Sequence, residues 1–102
     1  MARDSWAYRE VAVESVADPR SGALRIRPVA GQAFAPSLAV HCARRMADPA
    51  VYPAGTRFLV SAKLTDRLGG TPFLYVYHGD PVVLLNKAEA RRFLAAFKRG
   101  RM

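Results

Sequence analysis

The chain has a single cysteine, Cys42, so no disulfide can close within it. One thiol fits a reducing compartment. Histidine is scarce too: only His41 and His78 are present, and the eight acidic residues are scattered. A protein metal site draws on three or four ligands, so no metal and no cofactor is expected. Long apolar runs are missing. The longest uncharged stretch, Pro28 to Ala43, is interrupted by Gly31, Gln32, Pro36, Ser37 and His41, which is incompatible with a helical membrane span. The opening residues Met1-Ala2-Arg3-Asp4-Ser5 lack the apolar core of a secretion signal. There is no internal repeat and no low-complexity segment. These absences together lead to the expectation of a soluble, cytoplasmic protein without a membrane partner.

What is present suits one domain spanning residues 1–102. A chain of this length buries roughly 65% of its unfolded surface, enough for one core. Apolar residues make up 51% and charged residues 24%, ordinary values for a globular fold. The charge is unbalanced, with 16 basic against 8 acidic residues and a net charge of +8. Net charge bears on partners rather than on fold. Nucleic acid, an acidic protein and an anionic surface are all admissible. Arginine outnumbers lysine 13 to 3, a bias that a GC-rich genome would also produce, so it carries no argument.

Turn signals recur at short intervals, the mark of many short strands. Asp18-Pro19-Arg20-Ser21-Gly22 is a turn between strands Val11–Val16 and Leu24–Arg27. Pairing Val13 with Ile26 puts Val11, Val13, Ser15, Leu24, Ile26 and Pro28 on one face. Glu10, Glu14, Arg25 and Arg27 then share the other face, where opposite charges meet across strands. A third strand is predicted over Leu38–Arg45, with Leu38, Val40 and Cys42 inward. A long turn follows from Asp48 to Thr56. The alternation of Arg57–Leu64 is clear: Phe58, Val60, Ala62 and Leu64 face in, while Arg57, Ser61 and Lys63 face out. Phe73–Tyr77 is apolar on both faces and therefore reads as central. His78-Gly79-Asp80-Pro81 is a tight turn, and Val82–Leu85 is a last strand.

The periodicity then changes. Asn86 is an N-cap with Glu89 three residues on, the capping-box spacing. Ala90, Phe93, Leu94 and Phe97 fall on one stripe of a helix, and Gly100 is a plausible stop. The predicted fold is mainly β (α+β): five to six strands over about 6–85, in a small antiparallel barrel or strongly curved sheet, with one C-terminal amphipathic helix over about 87–99. The layout resembles SH3-type or oligonucleotide-binding-type barrels, folds that host many unrelated functions.

The stretch Tyr52-Pro53-Ala54-Gly55-Thr56-Arg57-Phe58 through Thr71-Pro72-Phe73-Leu74-Tyr75 resembles a segment of short bacterial proteins without a defined activity, often associated with mobile or phage-derived DNA. It covers about a quarter of the chain. The resemblance implies a mobile-element accessory role and brings no site residues.

Each candidate for chemistry has a plainer reading beside it. Cys42 adjoins His41, but neighbours in a strand point to opposite faces, so Cys42 reads as a small core residue. A catalytic pair would need His78 to approach it. His78 and Asp80 flank Gly79 in what is ordinary turn chemistry. The Gly69-Gly70 loop lacks the lysine and hydroxyl of a phosphate-binding loop, although Leu68, beside Arg67, is either an exposed tip or a residue folded back onto the core. Phe58 and Phe73 read as core. Tyr52, Tyr75 and Tyr77, near Arg57 and Lys63, fit either core or a base-stacking surface.

The basic C-terminal segment is the strongest candidate. Lys87, Arg91, Arg92, Lys98, Arg99 and Arg101 place six cations within fifteen residues, against Glu89 alone. The dipole at a helix C-terminus accounts for Lys98 and Arg99 but not for Arg91 and Arg92. The expectation is a small non-enzymatic accessory protein that binds nucleic acid through this helix and the adjacent barrel surface, with Arg57, Lys63, Arg67 and Leu68 as further contacts. The alternative is a protein-interaction module or inhibitor, a homodimer or the partner of an acidic protein.

Overall fold

The structure, a computed structural model, describes residues 8–66, 69–77 and 82–100, the last four of these through the backbone alone. Six strands follow in order: β1 (Arg9–Ala17), β2 (Leu24–Pro28), β3 (Ala39–His41), β4 (Arg57–Thr65), β5 (Phe73–Val76) and β6 (Val83–Leu85). A 3-10 turn over Arg44–Ala47 lies between β3 and β4, and helix α1 (Lys87–Gly100) ends the described chain. The strands form one sheet in the order β2-β1-β4-β5-β3, with β6 also on β4. The sheet is barrel-shaped and nearly closed. The predicted mostly β fold with a C-terminal helix is what the structure shows.

The hairpin of β1 and β2 forms as predicted, with a register two residues away. Ser15 rather than Val13 faces Ile26, and Val13 faces Pro28. The turn sets this. The Asp18 carboxylate accepts the Arg20 and Ser21 N–H groups at 2.8 and 3.0 Å, and the Gly22 N–H bonds the Asp18 carbonyl at 2.8 Å. These two backbone bonds, Ser21 first, hold the Asp18 carboxyl below its ordinary range. The wider turn, with Gly22 at φ 74°, absorbs two residues that the shorter pairing would have placed in the strands. A shift of two leaves every side chain on its predicted face.

The inward faces build the core. Val11, Val13, Ile26, Phe58, Val60, Ala62, Leu74 and Val76 are buried, and Met46 enters from the 3-10 turn. Tyr52 packs edge-on against Phe58 with centroids 5.2 Å apart, so it belongs to the core side. Buried Ser15 is satisfied by the Pro53 carbonyl, which its hydroxyl meets at 3.3 Å. Leu64 departs from expectation. It has the inward parity but is 52% exposed. The third strand is also shorter than predicted, because the chain turns into a 3-10 helix at Arg44. It pairs with β5 in parallel, Ala39 opposite Phe73 and His41 opposite Tyr75.

β5 and β6 are two pieces of one edge beside β4. Ala62 faces Val76, and the Tyr77 N–H reaches the Ser61 carbonyl at 3.2 Å. Counting on from that pair, an unbroken ladder would put residue 79 opposite Leu59. Val83 stands there instead, so the registers of the two pieces on β4 differ by four residues. The predicted turn His78-Gly79-Asp80-Pro81 falls in this gap and lies outside the described residues.

The other side of the sheet is sealed at one place by a glutamine. β1 has three successive fully buried residues, Val11, Ala12 and Val13, so Ala12 is covered on the outer face. The Gln32 carboxamide accepts the Ala12 N–H at 3.2 Å and donates to the Ala12 and Val29 carbonyls at 2.7 and 2.8 Å. It thus stands in for a peptide group where β2 ends. The loop it anchors meets the helix: a Cβ at Gly31 would lie 3.8 Å from Leu94 Cδ2. Helix α1 starts with the predicted capping box. Glu89 N–H donates to Asn86 Oδ1 at 2.8 Å, and Asn86 N–H donates to Glu89 Oε1 at 2.9 Å. Ala90 is buried, and Phe93 and Leu94 are half-buried.

Replacing Gln32 by Ala strands a buried backbone N–H, a loss of about 1–3 kcal/mol. Urea denaturation of Gln32→Ala is expected to show that drop in stability. A change below about 0.5 kcal/mol would mean that water takes over the bonds of the carboxamide.

Candidate functional site

Three of the helix cations have described side chains. Lys87, Arg91 and Arg92 are exposed. Lys87 and Arg91 stand one turn apart, on neighbouring positions of the same side. The one acid of the helix, Glu89, is turned back to the Asn86 N–H. None of the three cations forms an ion pair among the described residues. The side chains of Lys98 and Arg99, together with Arg101, lie outside the described residues, as do Arg67 and Leu68.

The remaining predicted cations sit on the outer face of the sheet, which divides into two areas. The first is ionic. Arg27 Nε meets Glu14 Oε2 at 2.9 Å, the cross-strand pairing expected for this hairpin. Arg57 stands opposite Glu14 on the other side of β1, so this predicted contact residue lies beside a carboxylate. Glu10 faces Ser61 rather than an arginine, and Arg25 faces Val16.

The second area is aromatic. The registers of β4, β5 and β3 bring Lys63 opposite Tyr75, Thr65 opposite Phe73, and Ala39 and His41 alongside. Phe73 is not core, contrary to expectation. It is half-buried on the outer face, stacked on the exposed His41 ring with centroids 4.0 Å apart and planes 21° from parallel. The alternation puts Tyr75 and Tyr77 on the same face. Tyr77 meets Tyr8 edge-on at 5.9 Å, and the Lys63 ammonium lies 5.5 Å over the Tyr8 ring. A shallow cleft of about 310 Å³ opens beside the Phe73–His41 pair, floored by Ala39 and bounded by Gly70, Thr71 and Pro72.

A larger cleft, about 460 Å³, separates the helix from the loop that Gln32 anchors. Phe34, Phe93 and Ala96 line it with Arg9 and Glu10. Glu10 therefore links the helix wall to the strand edge that leads to Tyr8.

Cys42 is half-buried, with Leu38 and Val40 on the core side, and His41 points the other way. Burial pushes its thiol up to about 11, the opposite of what a nucleophile needs. His78 and Asp80 lie outside the described residues. Among the described residues no three His, Cys, Asp or Glu side chains gather as metal ligands, and no helix is long and apolar enough to cross a membrane.

Sequence reasoning named Lys63 and the tyrosines but missed the pairing of Phe73 with His41. That contact depends on which strand lies beside β5, and no local pattern carries that information. No family model matches the chain, and comparison with curated proteins and with solved structures gives no match.

With its thiol pushed from 9.0 up to about 11, Cys42 holds about 100-fold less thiolate at neutral pH than an ordinary cysteine. Alkylation by iodoacetamide at pH 7.5 is expected to run at least about tenfold slower than for glutathione, and to keep accelerating as pH approaches 11. A rate equal to that of glutathione would show an ordinary thiol, and a clearly faster one would reveal an activated thiolate and reopen nucleophilic chemistry at this residue.

Proposed function

We propose that this protein binds nucleic acid, with α1 and the neighbouring outer face of the barrel as its contact surface. The observation that carries the reading is the set of exposed cations Lys87, Arg91 and Arg92, whose only helical acid is engaged in the capping box. On the body of the barrel Glu14 takes Arg27 and stands beside Arg57, while Arg25, Arg44 and Arg45 are exposed and add to the positive field. A basic helix side tracks phosphates without reading sequence. The net charge of +8 adds a long-range attraction for polyanions. No reaction is assigned; the role is that of a binding protein.

A second reading, an interaction module, is favoured by β6. This strand pairs only with β4 among the described residues, and it exposes Val83 and Leu84 at 43% and 53%. An open apolar edge invites a second strand, so a homodimer is the form this reading takes. Light scattering that shows a dimer persisting in 0.5 M salt would support it.

The nucleic-acid reading is tested by fluorescence anisotropy with labelled duplex and single-stranded oligonucleotides across a salt series. The combined variant Lys87→Gln, Arg91→Gln, Arg92→Gln is expected to keep its melting temperature within a few degrees. Its log K against log salt slope should be shallower by about 2–3 for duplex, at about 0.9 per lost phosphate contact. Absence of binding to either oligonucleotide at ~50 mM salt would end the proposal. An unchanged slope in the variant would remove the helix from it.

A further inference from the structure

We infer that the nucleic acid is single-stranded and that its unpaired bases lie on the aromatic area of the sheet, anchored at Phe73 and His41. The inference rests on the proposed function and names the class of ligand for it.

The starting point is an oddity of placement. An antiparallel sheet with one face on the core ordinarily presents polar side chains on the other. Here the strands β4, β5 and β3 present rings instead: Phe73, Tyr75 and Tyr77 in alternation along one strand, His41 beside them, and Tyr8 across from Lys63. Successive outward positions on a strand are about 6.6–6.8 Å apart. The rings therefore form a row and not a single contact. The half-buried helix residues Phe93 and Leu94 lie at the cleft with Phe34 and beside Gly31.

Three features select a single strand over other occupants. First, the exposed His41 ring lies almost parallel to Phe73 and backs onto it. It offers one flat face already held in position, so a base stacking there does not have to order the platform. Second, the 310 Å³ cleft beside the pair is walled by these rings and by Gly70, Thr71 and Pro72, which is the small end of the range for ligand pockets and open enough to admit a planar group from the side. Third, the cation within the row is Lys63, opposite Tyr75 and over the Tyr8 ring, where the phosphates between stacked bases would run. A duplex keeps its base faces against each other and offers a surface of this kind nothing but phosphate. An unpaired base offers a π-face to any ring, whatever its identity. An acidic peptide would satisfy Lys63 but leave the ring row without a counterpart.

The consequence is a division between two parts of the surface. Loss of ring stacking lowers affinity for single strands without changing the salt slope. Loss of the helix cations changes the slope for both forms.

The experiment compares a labelled 12-nucleotide single strand, of thymidine only, with a mixed-sequence 12-base-pair duplex at ~100 mM salt, using the full chain. His41→Ala and Phe73→Leu are the variants. His41 is exposed, and leucine keeps the apolar bulk at Phe73, so both are expected to melt cooperatively near the parent temperature. The expected result is single-strand binding at least about tenfold tighter than duplex binding. Each variant should weaken it by about fivefold or more, the loss of one stacked base, with salt slope and duplex affinity unchanged. Duplex binding as tight as single-strand binding would overturn the inference while the broader nucleic-acid reading stands. So would variants that stay folded and bind the single strand within twofold of the parent. Absence of binding to both oligonucleotides at ~50 mM salt would overturn the two together.

Discussion

The register of β1 against β4 fixes most of what the surface of this molecule presents. Val13 opposes Phe58 and Val11 opposes Val60 on the inside, and those four are buried. The alternate positions are therefore committed to the outside: Glu14 with Arg57, and Glu10 with Ser61. A slip of β4 by one residue would exchange its two sets, placing Arg57 in the core and Phe58 in solvent. The burial of Phe58 alone makes such a slip prohibitive, since removing a phenyl group from a core costs about 3–5 kcal/mol. The positions of Lys63 and Tyr8 follow from this ladder as surely as those of the core residues do.

The second constraint is on the opposite edge of β4. That edge is served by β5 and β6, two short pieces whose registers on β4 differ by four residues. The interruption gives the outer face its two characters. Toward the β6 end of β4, Ala12 is sealed by the Gln32 loop. Toward the β5 end, the parallel addition of β3 extends the face with His41. One strand thus supports a covered area and a ring-bearing area on the same side of the sheet.

Several of these features were legible in the sequence because they are local. The Asp18–Gly22 turn, the alternation of Arg57–Ala62 and the Asn86/Glu89 capping box each involve residues within a few positions of one another, and each formed as read. The errors were non-local or depended on detail inside a turn. The two-residue register difference came from how the Asp18 carboxylate folds its turn, which the pattern of apolar residues does not encode because a shift of two preserves it. Leu64 alternates correctly yet is exposed. Gln32 gave no signal at all: its role depends on the Ala12 peptide, twenty residues away. Phe73 was misassigned for the same reason. Its outward position follows from strand parity, but the face is open only because of what does and does not pack beside β5.

The basic helix and the ring-bearing face differ in what they can contribute to recognition. Exposed cations such as Arg91 and Arg92 act over about 8–10 Å at physiological salt and attract any polyanion with little regard to its form. On their own they would give a protein that binds duplex, single strand and acidic protein alike, in proportion to charge density. Discrimination requires a contact that one form can make and the others cannot. On the proposed reading the stacking of His41 on Phe73 is such a contact, because the face it offers is planar and suits a planar partner. Under the proposed function, the helix would govern how often and how strongly a polyanion arrives, and the sheet face which arrivals remain. That separation has its counterpart in the layout, where Phe93 and Leu94 of the helix lie beside Phe34 and Gly31 and the helix follows β6, while His41, Phe73 and Tyr75 are carried by β3 and β5.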